Sequence, residues 1–233
     1  MNIFTFWEGQ MPDYIKLCMK TWKFQPIVLN YRNLNDWTNL PVDKLKTFTL
    51  PQVSDAVRAH VLRDHIGSYW LDTDTIFLND TLPKENVIGD PDTRTHSTGV
   101  SHSTKESIDF FTAWAEYQDN VIANPNHSKH WSVLVNMFTD TYVPNHKEVE
   151  IYDISICRPE LYMIPSGSSS FRYKEFYFGN HKSYSISDLR DRTDFLVLHN
   201  SWTPAWYKQL DTNGVLSYNC TLSNILKETL KNA

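Results

Sequence analysis

Short apolar runs typical of buried strands alternate along the chain with stretches in which apolar residues recur every three or four positions, as in helices. The short runs predict strands at residues 2–7, 26–31, 45–50, 68–78, 94–102 and 195–198. The other stretches predict helices at residues 12–22, 53–66, 104–122, 130–141 and 219–230, and loops at 124–129 and 166–170. This alternation predicts one α/β domain over residues 1–233, with a mixed, mainly parallel sheet flanked by helices.

The most informative stretch is residues 52–78, in which an amphipathic helix leads through Gly67 into a strand that carries two aspartates. Gly67 stands where a helix commonly ends in a residue with positive φ. Because side chains alternate along a strand, Asp72 and Asp74 would project from one face, roughly 6.5 to 7 Å apart at about 3.3 Å per residue. One divalent cation could contact both carboxylates, and such hard oxygen ligands favour Mg²⁺ or Mn²⁺. The alternative is that both aspartates are ordinary turn residues.

A second pair of charged residues lies one element upstream, on the predicted helix. Asp55 and Arg58 are three residues apart, so they share a helix face and could hold one ligand together. The alternative is an ordinary surface ion pair, which contributes little to stability.

These two features together resemble a known family. The pattern Ser54-Asp55-x-x-Arg58, followed by His65-Ile66-Gly67-Ser68-Tyr69-Trp70-Leu71-Asp72-Thr73-Asp74, resembles the DXD-containing sugar transferases of glycosyltransferase family 32. It is also similar to the capsular polysaccharide synthesis transferases and, more distantly, to the glucosylating domain of the large clostridial toxins. One difference is that Gly67-Ser68 replaces the family's Gly-Gly. The resemblance implies the GT-A-like fold of nucleotide-diphospho-sugar transferases.

The resemblance also implies which residues contact the base and the sugars of a donor. Trp7, in Trp7-Glu8-Gly9 after the first predicted strand, would stack on the nucleotide base, although core packing is an equal alternative from the sequence alone. Asp55 and Arg58 would hold sugar hydroxyls, and Arg58 would also lie near the diphosphate. Asp72 would contact the ribose.

The resemblance also implies a site for a metal ion and the donor phosphates. In the resembling families a His or acid after a late strand completes the metal shell, and His199 stands in that position, so Asp72, Asp74 and His199 would hold Mn²⁺ or Mg²⁺. Ser201 and Trp202 would contact the donor phosphates. The alternative is that His199 only caps the end of the strand.

The implied activity is metal-dependent transfer of a sugar, with retention of anomeric configuration, from a nucleotide sugar to a glycan or lipid-linked saccharide in polysaccharide biosynthesis. A UDP-sugar is the expected donor, and a lipid-linked acceptor would bring the protein to a membrane surface. Two other functions stay open. Residues 70–74 are also similar to the nucleophile strand of haloacid-dehalogenase-type phosphatases, although Ile76 replaces their Thr. The 14% aromatic content would also suit a non-catalytic carbohydrate-binding module.

Composition limits the remaining possibilities. A formal charge of −5 argues against a nucleic-acid partner, which would need clustered Lys and Arg. No apolar stretch approaches the 18 or so residues of a membrane span, and the chain opens directly on a predicted strand, so we expect neither a span nor a signal peptide. Cys18, Cys157 and Cys220 are widely spaced and odd in number, which favours a reducing, cytoplasmic location.

Overall fold

The computed structural model describes residues 1–94, 96–124, 130–179, 183–189 and 193–231. The strands are Ile3–Phe6 (β1), Ile27–Leu29 (β2), Tyr69–Leu71 (β3), Thr75–Phe77 (β4), Val87–Gly89 (β5), His96–His102 (β6), Ile151–Asp153 (β7) and Phe195–Val197 (β8). The α-helices are Asp13–Lys20 (α1), Val42–Leu45 (α2), Leu50–Asp64 (α3), Ile108–Ala123 (α4), Asn136–Tyr142 (α5), Ile154–Cys157 (α6), Glu160–Met163 (α7), Ser169–Phe178 (α8), Ala205–Lys208 (α9), Thr212–Ser217 (α10) and Thr221–Lys231 (α11). Short 3₁₀ turns lie at Leu34–Asp36, Val143–Asn145 and Ile186–Asp188.

Internal contacts divide the chain into two compact units. The first comprises Met1–Gly9, Pro26–Asp72 and Pro83–Tyr152, and the second comprises Gln10–Gln25, Thr73–Leu82 and Asp153–Ala233. Compact units of this kind need not fold independently, so the single domain over residues 1–233 stays a prediction.

The first unit is built on a sheet with the strand order β2-β1-β3-β6-β5-β7. β1 runs parallel to both β2 and β3, whereas β6 runs antiparallel to β3 and β5. The long helices α3 and α4 pack against each other, and α3 packs on β1. The core between these elements includes the fully buried residues Phe4, Ala56, Trp70, Phe110 and Trp114. The mixed α/β class with flanking helices is confirmed.

The strand predicted at residues 45–50 is wrong, because this segment ends one helix and begins another. Thr49 and Gln52 form a capping box, in which the Thr49 backbone N–H donates to Gln52 Oε1 at 2.9 Å. Pro51 lies in the first turn of α3, where its missing N–H costs no hydrogen bond. The apolar residues of this segment are therefore buried by helix packing.

The single strand predicted at residues 68–78 is also wrong. β3 ends at Leu71, and β4 begins at Thr75 in a separate two-stranded sheet with β8. The backbone bonds change partners at this point: the Asp72 N–H donates to Gly99 O at 2.8 Å, whereas the Leu198 N–H donates to Asp74 O at 3.3 Å. Asp72 and Asp74 therefore lie in the connection between two strands and do not share the face of one strand.

The second unit packs helices around the antiparallel pair β4 and β8. Its interior is rich in tyrosine, with Tyr14, Tyr173, Tyr177 and Tyr207 all fully buried. The loop predicted at residues 166–170 is in part helical, because the Ser168 side chain accepts a bond from the Phe171 N–H and starts α8. None of the helices in the described part of the chain is long and apolar enough to cross a membrane.

Three further predictions concern single features of the chain. Gly67 has a φ of +82°, which confirms that the chain needs a glycine to leave α3 at this point. The three cysteines are buried and unpaired. The predicted polar loop at residues 124–129 lies, after Asn124, outside the described residues.

Candidate functional site

A buried arginine joins two of the predicted site residues in the first unit. Arg58, only 5% exposed, donates from Nη1 to Asp55 Oδ1 at 3.2 Å and from Nη2 to Asp72 Oδ1 at 2.8 Å. Nη1 also donates to the Thr98 hydroxyl of β6. The guanidinium carbon lies 5.1 Å from the centre of the Trp70 ring, within cation–π range. Asp55 and Arg58 are therefore not an exposed surface pair but part of a network that reaches Asp72.

The Asp72 carboxylate is fixed on one side and open on the other. Trp70 Nε1 donates to Oδ1 at 2.8 Å, so both donors among the described residues, Trp70 and Arg58, use the same oxygen. The side chain is 34% exposed, and its Oδ2 lies against Gly99 of β6. A Cβ at Gly99 would lie 2.8 Å from Oδ2, so only glycine lets the carboxylate lie this close to the strand. Oδ2 therefore remains available to a ligand.

Burial sets the protonation of Asp55. Desolvation raises the pKa of this carboxyl from 3.8 to about 7. The Arg58 charge opposes the shift, and the Asp72 charge adds to it. Near neutral pH, Asp55 can therefore act either as a hydrogen-bond donor or as an acceptor.

Trp7 lies at the same edge of the sheet as Asp72. In the parallel pairing of β1 and β3, Ile3 is opposite Tyr69 and Phe4 is opposite Trp70. Continuing this register puts Trp7 just past the level of Asp72, at the carboxyl ends of both strands, where ligands of α/β sheets bind. The Trp7 indole N–H is buried without a hydrogen-bond partner among the described residues.

Asp74 is supported by a separate set of residues in the second unit. It is only 7% exposed, and its Oδ2 accepts a 2.7 Å bond from the backbone N–H of Asn200. The Asn200 side chain in turn accepts a 2.5 Å bond from the hydroxyl of the fully buried Tyr14. The turn that follows β8 is thereby held against the Asp74 carboxylate.

His199, the residue before Asn200, is enclosed by aromatic rings. Its ring centre lies 4.0 Å from that of Trp202 and 5.9 Å from that of Tyr173. Its Nε2 is buried and has no hydrogen-bond partner among the described residues. Burial, with a smaller contribution from the positive charge of Arg158, lowers the pKa of His199 to about 3. The imidazole is therefore neutral at physiological pH and keeps a lone pair for a ligand.

The remaining predicted phosphate contacts lie in the same turn. The backbone N–H of Trp202 donates to His199 O at 2.9 Å, which brings the two rings together, while Ser201 is exposed at the tip of the turn. The Arg158 guanidinium lies 5.7 Å from the centre of the Trp202 ring and donates to the fully buried Glu160 at 2.7 Å.

A metal would require a suitable set of donors. Within the described part of the chain, no group of three His, Cys, Asp or Glu side chains is arranged to hold a metal ion. In the second unit, the buried imidazole nitrogen of His199 and the carboxylate of Asp74 are donor types that fit Mn²⁺ or Mg²⁺. Two donors are fewer than a full shell, and the metal site stays a prediction.

Several residues of these networks were missed from the sequence. Thr98, Gly99, Asn200 and Arg158 are far from the motif in the sequence and reach it only through strand pairing and packing. Trp70 could have been found, because it lies two residues before Asp72 on the same strand face.

The structure thus describes a mixed α/β protein with a network of charged residues at the carboxyl end of β3. The chain belongs to the capsular polysaccharide synthesis protein family, whose model matches residues 1–193. The match covers both the Asp55–Arg58 and the Asp72–Asp74 motifs and ends before His199. Membership suggests a role in polysaccharide biosynthesis and therefore saccharide substrates. A search of curated proteins found no match to the chain.

Proposed function

We propose that this protein is a metal-dependent glycosyltransferase that moves a sugar from a nucleotide sugar, a UDP-sugar above all, to a glycan or lipid-linked saccharide acceptor. The observation that carries this proposal is the Asp55–Arg58–Asp72 network at the carboxyl end of β3, with one oxygen of Asp72 left open. Membership of a capsule synthesis family supports the saccharide chemistry.

The network is costly as a purely structural device, which favours a functional role. Taking an arginine and its carboxylates out of water costs several kcal/mol per ion, and apolar residues of similar size often serve stability equally well. Here the arginine is buried, one of its carboxylates has a raised pKa, and the other is partly exposed. Groups with strongly perturbed pKa values cluster at functional sites.

The donor would lie along this edge of the first unit. Trp7 would stack on the base, and its buried indole N–H would give the base or a water molecule a donor. Asp72 would accept hydrogen bonds from hydroxyl groups through Oδ2, while Asp55 and Arg58 would hold the sugar and keep Asp72 in place. A carboxylate held by two donors at one oxygen needs no reorganisation when the ligand arrives.

Asp74 and His199, together with Asp72 as expected from the sequence, would hold Mn²⁺ or Mg²⁺. When bound, such an ion would neutralise the charge that develops on the leaving diphosphate. Ser201 and Trp202 would contact the phosphates and exclude water that would otherwise hydrolyse the donor. The aromatic enclosure of His199 by Tyr173 and Trp202 supports exclusion of water there.

The test is binding and cleavage of UDP-, GDP- and CDP-sugars with and without Mn²⁺, for the native protein and for Asp74→Asn. A donor present at 100 times its Kd stabilises the protein by about 2.7 kcal/mol, which raises Tm by about 5 to 10 °C. Asp74→Asn should lose the metal-dependent part of this shift, because an amide binds a divalent ion weakly but can still accept from Asn200.

The matched control is Asp80→Asn, which removes an exposed carboxylate of the same unit that pairs with Lys23 at 3.3 Å. It should behave like the native protein. If no nucleotide binds with or without metal, the transferase assignment fails. Transfer of phosphate onto Asp72 would instead indicate the phosphatase. A product of inverted anomeric configuration, detected by proton NMR, would contradict the expected retention.

A further inference from the structure

β6, the strand next to β3 in the sheet, begins near the end of β3 and presents a hydroxyl group beside Asp72. β6 runs antiparallel to β3, with Leu71 opposite Val100, so the residues that open β6 lie at the edge where the donor would bind. A Cβ built at Gly99 would lie 2.8 Å from Asp72 Oδ2 and 3.7 Å from Ser97 Oγ. Both oxygens therefore face the space above Gly99.

Ser97 Oγ and Asp72 Oδ2 can form hydrogen bonds with a ligand, unlike the atoms that already bond to each other within the network. Ser97 is partly exposed, and its hydroxyl accepts only a long 3.4 Å bond from the Gly99 N–H among the described residues, so its own proton is free to donate. Asp72 Oδ2 is a pure acceptor. One acceptor and one donor side by side match neighbouring hydroxyl groups. A phosphate would be repelled by the Asp72 carboxylate, since the nearby Arg58 charge is already shared by Asp55 and Asp72.

The sheet order indicates which hydroxyls these are. Trp7 follows β1, Asp72 follows β3, and Ser97 opens β6, and these three strands are consecutive neighbours in the sheet. Strands lie about 4.8 Å apart, so Ser97 is about 10 Å across the sheet from the strand that carries the base-stacking tryptophan. In an extended nucleotide sugar the ribose lies next to the base, and the groups at that distance are the second phosphate and the transferred sugar. Because the Asp72 carboxylate would repel a phosphate, the sugar is the group that fits this position.

We propose that Ser97, with Asp72 Oδ2, binds hydroxyl groups of the sugar to be transferred and so helps to select it, with Gly99 as a positioning residue that lets Asp72 lie against β6. This inference rests on the proposed transferase function. It makes Ser97 a specificity-determining residue, because a site that hydrogen-bonds a hydroxyl discriminates strongly against sugars that lack it.

The experiment compares affinities for UDP, GDP and CDP with those for the corresponding nucleotide-hexoses, in Mn²⁺, by calorimetry. Ser97→Ala should leave the affinity for the nucleoside diphosphate within twofold of native and weaken the nucleotide-hexose by about fivefold to tenfold, the loss of one hydrogen bond. Ser97→Thr keeps the hydroxyl and should restore the native ratio.

The matched control is Ser101→Ala on the same strand. The Ser101 hydroxyl is buried and donates to Thr98 O at 2.9 Å, so its loss should lower stability without changing the ratio of the two affinities. If Ser97→Ala weakens the diphosphate and the nucleotide-hexose equally, or neither, the assignment of Ser97 is overturned while the transferase function stands. If the native protein binds no nucleotide at all, both fail.

Discussion

Replacing Arg58 by methionine tests whether the buried network is built as described. The change keeps the aliphatic stem of the side chain but leaves Asp55, 14% exposed, and Asp72 without their shared cation. Breaking a buried ion pair from one side costs about 3 to 5 kcal/mol, because the remaining charge stays desolvated. For a chain of 233 residues, each kcal/mol shifts Tm by about 2 to 4 °C, so Tm should fall by about 6 to 20 °C.

Arg63→Met is the matched control on the same helix. Arg63 is 24% exposed and pairs with Asp64 at 2.7 Å, an arrangement in which ion pairs contribute about 0 to 1 kcal/mol. Urea unfolding followed by circular dichroism would give the free energy of unfolding for both variants. Equal losses in the two would refute the inference that Arg58 is held in a buried network.

A double variant separates the charge from the packing. In Arg58→Met with Asp55→Asn, one of the two unpaired carboxylates is removed, so part of the lost stability should return. The recovery should be about 1 to 3 kcal/mol, the cost of leaving one buried acceptor unsatisfied. A double variant no more stable than Arg58→Met would show that Asp55 is not stabilised by Arg58.

Three further predictions concern single residues. In Gly99→Ala, the new Cβ would displace the Asp72 carboxylate from Arg58 and Trp70, so urea unfolding should show a loss of about 1 to 3 kcal/mol, and an unchanged value would contradict the close approach. Because the folded-state pKa of Asp55 is raised from 3.8 to about 7, its contribution to stability falls as pH rises between those values, by up to about 1.4 kcal/mol per pH unit. Asp55→Asn should lack this fall, so the free energy of unfolding of the variant, relative to that of the native protein, should increase from pH 4 to 7. Parallel pH curves for the two proteins would exclude the raised pKa of Asp55. Tyr14→Phe, which removes the 2.5 Å bond to Asn200, should cost about 1 kcal/mol in thermal unfolding, and no loss would mean that the bond does not hold the turn.

Local signals in the sequence correctly located the elements that present the site. The apolar spacing of residues 53–66 corresponds to α3, and Gly67 takes the positive φ that its position at the helix end implied. The parallel pairing of β1 with β3, which places Trp7 and Asp72 at one edge, followed from the order of strands and helices. The helix and its glycine depend on neighbours within one or two turns of chain, which is the range over which periodicity carries information, whereas the strand pairing follows from a general rule of α/β topology.

Features that depend on contacts between particular residues far apart in the sequence could not be predicted. Apolar residues on both sides of Asp72 and Asp74 make residues 68–78 look like one strand, but the backbone of Asp74 bonds to Leu198 instead of continuing the ladder that Asp72 makes with Gly99. The polar residues of the motif fit a turn, the alternative stated from the sequence, but they do not identify the new partner strand. The same holds for Thr98, whose hydroxyl reaches Arg58 only because β6 pairs with β3.

The separate support of the two aspartates makes their contributions to donor binding separable. Asp72 is held by Arg58 and Trp70, and Asp74 is held by the backbone of Asn200, which Tyr14 fixes. A variant of Trp70 that keeps its ring shape but lacks the indole N–H would therefore disturb only Asp72, and Tyr14→Phe would disturb only Asp74. If both aspartates serve one metal-bound donor, both changes should weaken the Mn²⁺-dependent binding of a nucleotide sugar. If Asp72 binds only hydroxyls, the first change should weaken binding equally with and without Mn²⁺, and the second should act only in its presence.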